Sequence, residues 1–531
     1  TGHVEIASPA FTGHVQSLSA SFKLKPVEAQ AATGATGNKN AAPGAPNAAD
    51  GNPTAPNAAP AAPPQQRYYI DADQLQLDVS ITGQKAAPTS LACDGHVLLR
   101  EVPLVATSQQ PLEVRGGQLQ IDHLDTNAPH VTLHGVAPGQ APGSALAQVA
   151  GRGMTMLVDT IEFDGGTNRM WSDGPGKATM LVTGGMAGNP LGPNTTANPN
   201  AVPVPMELTW QGGLKFDGQT IHFQRDVLVV GMESKLHCEE LLAKLSAPVQ
   251  FGQHIEQASM TLNEIECRGG VKLENITRDE QGVTSHSQME DLDRLTINQQ
   301  TGQIMGYGSG IIRSTRFGAT MTALDAPPGT TPATPLPANA AGSKLYFLRV
   351  DFHNGLSGNM YTRELTFQER VRTVYGPVDT WEQELDPLRP ETLPPDAITM
   401  NCDQLRLNED PVAARAVAAQ SGGQRPAGPI QMLATGDVRI TGQVPKQGEF
   451  SVQANQASYD HLKETFILEG DGRTPAKLWR RNAAGVDVPP TEARKIRYVR
   501  STGDIQVDGI QYFEITPNDI QNARRPTPPT K

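Results

Sequence analysis

The chain has 531 residues, enough for several domains or one long array. Its 43 Lys+Arg against 55 Asp+Glu give a formal net charge of -12. No basic stripe runs along it, which excludes the electrostatic footprint of a nucleic-acid-binding protein. Aromatics make up 5%, whereas Gly and Pro number 52 and 43, a balance that suits many short strands joined by turns.

The chain begins inside a strand-like segment, GHVEIASPAFTGHVQSLSASFKL, taken as the end of a preceding β unit over 1–29. The expectation is a fragment of a longer precursor, or a chain whose leader has been removed. Residues 30–66 form a low-complexity linker of Ala, Pro, Asn and Gly. A first β unit is expected over 67–220, where Leu75 and Leu77 alternate with Gln74, Gln76 and Asp78. Within it, LQIDHLDTNAPHVTLHG sets Gly135 14 places after Ile121, and DTIEFDGGTNRMWSDGPG sets Gly174 11 places after Phe163.

The second unit, 221–395, opens with FQRDVLVVG, which matches the later FQERVRTVYG and is taken as a shortened form of the same hairpin. HCEELLAKLS is rich in helix formers. Its equivalents elsewhere alternate, so at least 236–242 is expected to be a strand. DRLTINQQTGQIMGYGSG again puts Ile297 11 places before a glycine, Gly308. The third unit, 396–518, carries NCDQLRL, a short helix expected over 410–420 (DPVAARAVAAQ), and then ATGDVRITG. In its next strand Phe450, Val452 and Ala454 alternate with Ser451, Gln453 and Asn455. Two more 11-residue spacings follow, Tyr459 to Gly470 and Tyr498 to Gly509, and a flexible tail covers 519–531. A repeat that keeps its spacing while changing its residues preserves a shape.

The four cysteines give the long period. Ala72, Cys238 and Cys402 occupy one equivalent position, 166 and 164 residues apart; Cys93, Cys267 and Ala434 occupy another, 174 and 167 apart. Cysteine interchanging with alanine marks a small buried site rather than a metal ligand. Only the middle copy has cysteine at both positions, so a Cys238–Cys267 disulfide is open there alone. Pro/Ala-rich inserts at about 138–148, 185–205, 325–343 and 412–429 bury too little apolar surface to offset ordering and are expected to be disordered loops.

No run of eighteen apolar residues occurs, so no transmembrane helix is expected. No catalytic, cofactor or metal site emerges. The glycine pairs at Gly174–Gly176, Gly308–Gly310 and Gly470–Gly472 lack the helix and Lys-Ser/Thr of a phosphate loop, and recur where turns or bulges are needed. The histidines have no zinc spacing; His96, His134 and His222 are expected either on wet strand faces or satisfied by hydrogen-bond partners. The acidic pairs Asp71/Asp73 and Asp291/Asp293 stand outside any calcium loop and suit solvated strand faces. Around Trp479, a basic cluster (Arg473, Lys477, Arg480, Arg481, Arg494, Lys495, Arg497, Arg500) is either a solvated face or a contact for anionic headgroups.

Several of these segments carry a family resemblance. Ala434-Thr435-Gly436-Asp437-Val438, then Ala454-Asn455, Ala457-Ser458-Tyr459-Asp460 and Phe466 to Gly470 follow the pattern of the OstA-like family, with weaker echoes at Cys267–Val271 and Ile161–Asp164. The chain resembles these organic-solvent-tolerance and lipopolysaccharide-transport proteins over most of 68–515. The resemblance implies an all-β fold: an elongated array of antiparallel hairpins, a folded-over sheet or β-jelly-roll, with copies stacking at open sheet edges. It implies a non-enzymatic protein without cofactors that binds or conducts amphipathic lipid or glycolipid. That protein is expected in the periplasm or at the outer membrane of a diderm bacterium, reaching the membrane only through partners or a missing segment. The residues expected to line the apolar interior are Leu75, Leu77, Val271, Leu273, Leu405, Leu407, Val438, Ile440, Phe450, Val452, Phe466 and Leu468. Alternation reads the same for a filled core and for an open groove. The alternative function is a structural or adhesive spacer with no lipid ligand.

Overall fold

The computed structural model describes residues 4–7, 11–24, 67–82, 85–102, 110–126, 128–136, 145–151, 153–182, 204–249, 262–279, 282–317, 345–409, 430–444, 448–460, 465–481, 485–499 and 504–512. The protein is all-β, and its described residues hold no α-helix, only a 3-10 turn at Pro390–Thr392. The chain forms two compact units, Thr1–Asp173 and Gly174–Lys531.

The first unit begins with β1 (Val4–Ala7), β2 (Phe11–Leu24), β3 (Arg67–Thr82), β4 (Lys85–Val102) and β5 (Glu113–Asp122). It continues with β6 (His130–His134), β7 (Ala147–Gly151), β8 (Met154–Val158), β9 (Thr160–Asp164) and β10 (Arg169–Asp173). The second unit opens with β11 (Gly176–Val182), β12 (Val204–Trp210), β13 (Gly213–Phe216), β14 (Thr220–Val230), β15 (Ser234–Leu245), β16 (Leu262–Asp279) and β17 (Gly282–Asn298). Next come β18 (Gln303–Tyr307), β19 (Gly310–Phe317), β20 (Leu345–Phe352), β21 (Leu356–Asn359), β22 (Glu364–Val378) and β23 (Ile398–Glu409). The last six are β24 (Ile430–Val444), β25 (Gly448–Asp460), β26 (Thr465–Glu469), β27 (Ala476–Arg481), β28 (Asp487–Val499) and β29 (Asp504–Tyr512).

Each expected eleven-residue spacing begins in a hairpin: β9/β10, β17/β18, β25/β26 and β28/β29 are antiparallel pairs. HCEELLAKLS lies in strand β15, because cross-strand pairing to β14 and β16 outweighs its helix propensity. One pair breaks the antiparallel rule. β2 runs parallel to β3, Val15 opposite Ala72 and Leu18 opposite Leu75. A parallel pair needs a long crossover, and residues 25–66 supply the length. β7 and β12 begin at Ala147 and Val204, inside the stretches taken as inserts at 138–148 and 185–205. Residues 138–144 and 185–203, the linker 30–66, the inserts 325–343 and 412–429, the helix expected over 410–420 and the tail 519–531 lie outside the described residues.

In the second unit the long strands bend in the middle and serve two leaves of sheet at once. β17 pairs with β18 through Arg294–Ile297 and with β19 through Ser285–Glu290. β18 then pairs with β21, β19 with β20, and both β20 and β21 return to opposite halves of β22. The same division recurs at β25, whose halves take β26 and β27, and both of these rejoin at β28. This is a sheet folded over on itself. We call the leaf holding β18, β21 and β26 the first leaf, and that holding β19, β20 and β27 the second. Their inner faces touch near the bend, where Phe352 of the second leaf lies 5.4 Å from Phe367 of the first.

The bend explains the glycines. Gly308 and Gly355, at φ 92 and 114, break otherwise continuous strands at β18/β19 and β20/β21. At Gly470 the turn into β27 is closed by the Asp471 carboxylate, which accepts the N–H groups of Arg473 and Thr474 at 2.8 and 2.6 Å. FQRDVLVVG and FQERVRTVYG are therefore not shortened hairpins. Each is one strand, β14 or β22, crossing the bend, with Arg225–Asp226 and Glu369–Arg370 at positive φ displacing the register there.

One outer face carries a second, smaller core. Leu345, Phe347, Val374 and Val378 point away from the fold and are buried under the irregular segment 379–397, which lays Leu385 on them with Trp381 and Leu393 alongside. Arg313 binds Glu290 at 2.7 Å and Glu384 of this strap at 3.2 Å; Arg349 binds Asp351 at 2.7 Å and Asp386 of the strap at 4.0 Å.

Candidate functional site

The inner faces are organised as lanes parallel to the bend. Closest to it, the first leaf of the second unit aligns Leu241, Cys267, Leu295, Gly306, Leu356, Phe367, Leu405, Ala434, Ala457, Leu468 and Ile496 through consecutive register pairs. Every one is buried. The facing lane of the second leaf runs Leu273, Met289, Ile312, Val350, Thr373, Met400, Ile440, Val452, Leu478 and Thr491. All but Ile312 are buried. A fully buried aliphatic side chain contributes about 1.5–3 kcal/mol, so these two lanes are the core of this unit.

Two residues farther from the bend the burial changes along the chain. In the first leaf Ile265, Ile297 and Ile304 are buried, but beyond them Leu365, Leu407, Met432, Phe466 and Tyr498 are half-buried, with only Tyr459 closed off among them. In the second leaf the outlying lane Leu348, Tyr375, Ile398 and Phe450 is half-buried too, and it ends at exposed Arg480. The inner faces are thus closed near the bend and less closed along two outlying apolar lanes, or lips, over β20–β28, where Tyr459 in the first leaf and Tyr346, one step beyond Leu348 in the second, are nonetheless buried.

The twelve residues expected to line the interior divide along this line. Leu75, Val271, Leu273, Leu405, Val438, Ile440, Val452 and Leu468 are buried near the bend, whereas Leu77, Leu407, Phe450 and Phe466 are half-buried at the lips. In the first unit the Leu75–Cys93–Leu119–Leu133–Ile161 lane is buried, and the next lane out is mixed, with Leu91 and Ile121 buried and Leu77, Val131 and Phe163 half-buried. Sequence reasoning missed Leu348, Leu365, Tyr375, Ile398 and Met432. A signal existed: the apolar residues opening the eleven-residue spacings, Phe163, Ile297, Tyr459 and Tyr498, all lie in the lip lane.

The cysteine positions lie at the bend. Ala72, Cys93, Cys238, Cys267, Cys402 and Ala434 are all buried, Cys93, Cys238 and Cys267 at 0% exposure, and all four cysteines are free thiols. Burial, with Asp94 and Asp403 beside them, pushes the Cys93 and Cys402 thiols up to about 12. Small side chains are needed because the two leaves converge there. The acid following Ala72, Cys238 and Cys402 packs over the bend glycine of the next strand: a Cβ at Gly95, Gly269 or Gly436 would strike Asp73, Glu239 or Asp403 respectively.

The polar groups of interest stand on outer faces or at the rim. His96 is 91% exposed at its side chain and binds Asp73 at 2.8 Å; His134 contacts Thr160 Oγ1 at 3.0 Å; His222 is 3.5 Å from Glu240. Among the described residues no cluster of three metal-ligating side chains occurs, and no helix is long and apolar enough to cross a membrane. The basic cluster is largely neutralised across strands. Lys477 binds Glu492 at 3.0 Å, Arg494 binds Asp508 at 2.9 Å and Lys495 binds Glu469 at 2.7 Å. Arg481 binds Asp487 at 2.9 Å and Glu449 at 3.2 Å. Arg473 lies beside the Asp471 carboxylate, which its charge stabilises; among the described residues the Arg480 and Arg497 side chains form no ion pair, and Arg480 stands on the lip beside Phe450; Arg500 lies outside the described residues.

Comparison with families of known proteins and with characterised proteins found no match.

Proposed function

We propose that the chain binds amphipathic lipid, holding the acyl chains between the two lips over β20–β28 and leaving the polar head in water beside Arg480. The observation that carries this reading is the burial gradient. A filled core closes on all sides, whereas here the same inner faces that are sealed at the bend end in a double row of half-buried Leu, Ile, Met, Phe and Tyr side chains. Each methylene moved from water into such a cleft contributes about 0.8 kcal/mol, so an acyl chain is held without any polar chemistry. The exposed cation at the end of one lip suits an anionic head group.

The resemblance to OstA-like sequences supports the same reading, and with it we propose a location in the envelope of a diderm bacterium, in a chain of stacked domains. Among the described residues β29 pairs on one side only, which leaves an edge to which another β domain can add.

The test is a photo-crosslinking side chain at position 407 on the inner lip, with position 406 on the outer face as control, where Arg406 binds Glu364 at 2.8 Å. Incubated with lipopolysaccharide or anionic phospholipid, the 407 variant is expected to capture lipid and the 406 variant not. Equal capture at both, or none at either, rejects the reading and leaves a spacer protein as the account of the fold.

A further inference from the structure

We propose that Cys238 and Cys267 are a disulfide-forming pair that fastens the two leaves together at the bend of the β15/β16 hairpin. Cys238 belongs to the second leaf, paired with Val227, and Cys267 to the first, paired with Leu241 and Leu295. Between them β16 turns the corner through Gly269 and Gly270, both at positive φ, while β15 passes through Glu239. The register shift there brings the two side chains together from opposite leaves. Both are fully buried, and Cys238 is the neighbour that most raises the Cys267 thiol.

The chain contains its own controls. The β3/β4 hairpin has Ala72 and Cys93 at the matching positions, and the β23/β24 hairpin has Cys402 and Ala434. Small side chains satisfy the packing at all three bends, so packing accounts for Ala or Cys at each position separately. Only the middle hairpin places sulfur on both sides of its bend.

The chemistry requires an oxidant of the disulfide class, such as oxidised glutathione. One cysteine thiolate attacks its S–S bond and releases one small thiol. The second cysteine attacks the resulting mixed disulfide and releases the other. The Cys238–Cys267 bond forms, the oxidant's S–S bond breaks, and two electrons and two protons pass from the cysteines to two product thiols. In the folded chain both sulfurs are shut off from solvent. The neighbouring Cys238, then burial, also keeps the Cys267 thiol protonated well above the ordinary range. The thiolate is the nucleophile. Exchange therefore takes place before the bend closes, during folding.

The experiment unfolds the full chain in urea and refolds it in oxidised or in reduced glutathione. It then alkylates free thiols in denaturant and maps peptides by mass spectrometry. In the oxidised sample the expected product is one peptide pair joining Cys238 to Cys267, with Cys93 and Cys402 not joined to each other or to either member of the pair. Its urea midpoint should exceed that of the reduced sample. Cys238→Ala and Cys267→Ala reproduce residues the chain itself uses at Ala72 and Ala434. They should fold and show no difference between the two refolding conditions. Absence of the joined peptide, cross-links spread over all cysteine pairs, or a cross-linked chain less stable than the reduced one would each overturn the proposal. None of these readouts involves lipid.

Discussion

Two consecutive residues at positive φ turn each of β4, β14, β16, β22 and β24 round its bend, but they are not the same residues. In β16 both are glycine; in β4 and β24 glycine is followed by His96 or Asp437; in β14 and β22 neither is glycine. A side chain at positive φ costs about 1 kcal/mol, and glycine avoids that cost. Four side chains return part of it: His96 binds Asp73 at 2.8 Å, Asp437 binds Arg439 at 3.1 Å, Asp226 binds His237 at 2.7 Å, and Glu369 accepts from Asn354 at 2.8 Å. Arg370, at φ 49, has no such partner among the described residues. Arg370→Gly should therefore stabilise the protein by about 0.5–1 kcal/mol. Gly436→Val, which meets both φ 77 and the Asp403 side chain, should destabilise it by about 2–4 kcal/mol. Urea midpoints of the two variants check this. Equal losses for both would show that the left-handed backbone is not what constrains the bend.

At the scale of elements, the strap over 379–397 is the part whose stability rests on a few side chains. Leu385 is 3% exposed in the outer core, whereas Leu388, three residues on, is 60% exposed. Leu385→Ala should lower the opening free energy of the strap by about 2–4 kcal/mol, and Leu388→Ala should change it by less than about 0.5 kcal/mol. Hydrogen exchange at strap amides reads the difference; protection unchanged by Leu385→Ala would mean that the Arg313–Glu384 and Arg349–Asp386 contacts suffice. Nothing in the pattern announced this strap. Trp381, Leu385 and Leu393 lie in an irregular segment, and they cover a sheet face that alternation would leave wet. The strands themselves were legible, because period-two alternation and the Ala/Cys and Gly positions survive in all three copies. The β14 and β22 bends were not, because they lack glycine and look like shortened hairpins. The pairing within the basic cluster was not legible for a related reason: its acids, Glu449 and Glu469 among them, sit on neighbouring strands that sequence proximity does not reveal. The lips were half legible. Alternation says which side chains face inward, but not how far each stands from a bend whose position it does not mark.

At the scale of the molecule, the second unit is a one-dimensional array, since each bent strand exchanges hydrogen bonds only with the strands beside it. Stability in such an array is close to a sum of local terms and neighbour interfaces, and it need not be lost all at once. The middle strands β16 and β17 have a full-length partner on at least one side and bury Cys267, Val271, Leu292 and Leu295 completely. Among the described residues β29 at the end has one neighbour, and its Ile505 and Val507 are only half-buried. Native-state hydrogen exchange should therefore fall off from β16–β17 towards β29. Ile496 is completely buried between β26 and β29, so Ile496→Ala should lower the opening free energy of β26–β29 by about 2–4 kcal/mol. Protection of β14–β17 should stay unchanged in the same variant. Were every amide of the unit to lose protection by one common amount, the leaves would be opening as a single cooperative body. A cleft whose lips part locally to admit a lipid chain would then have no support in the energetics of the fold.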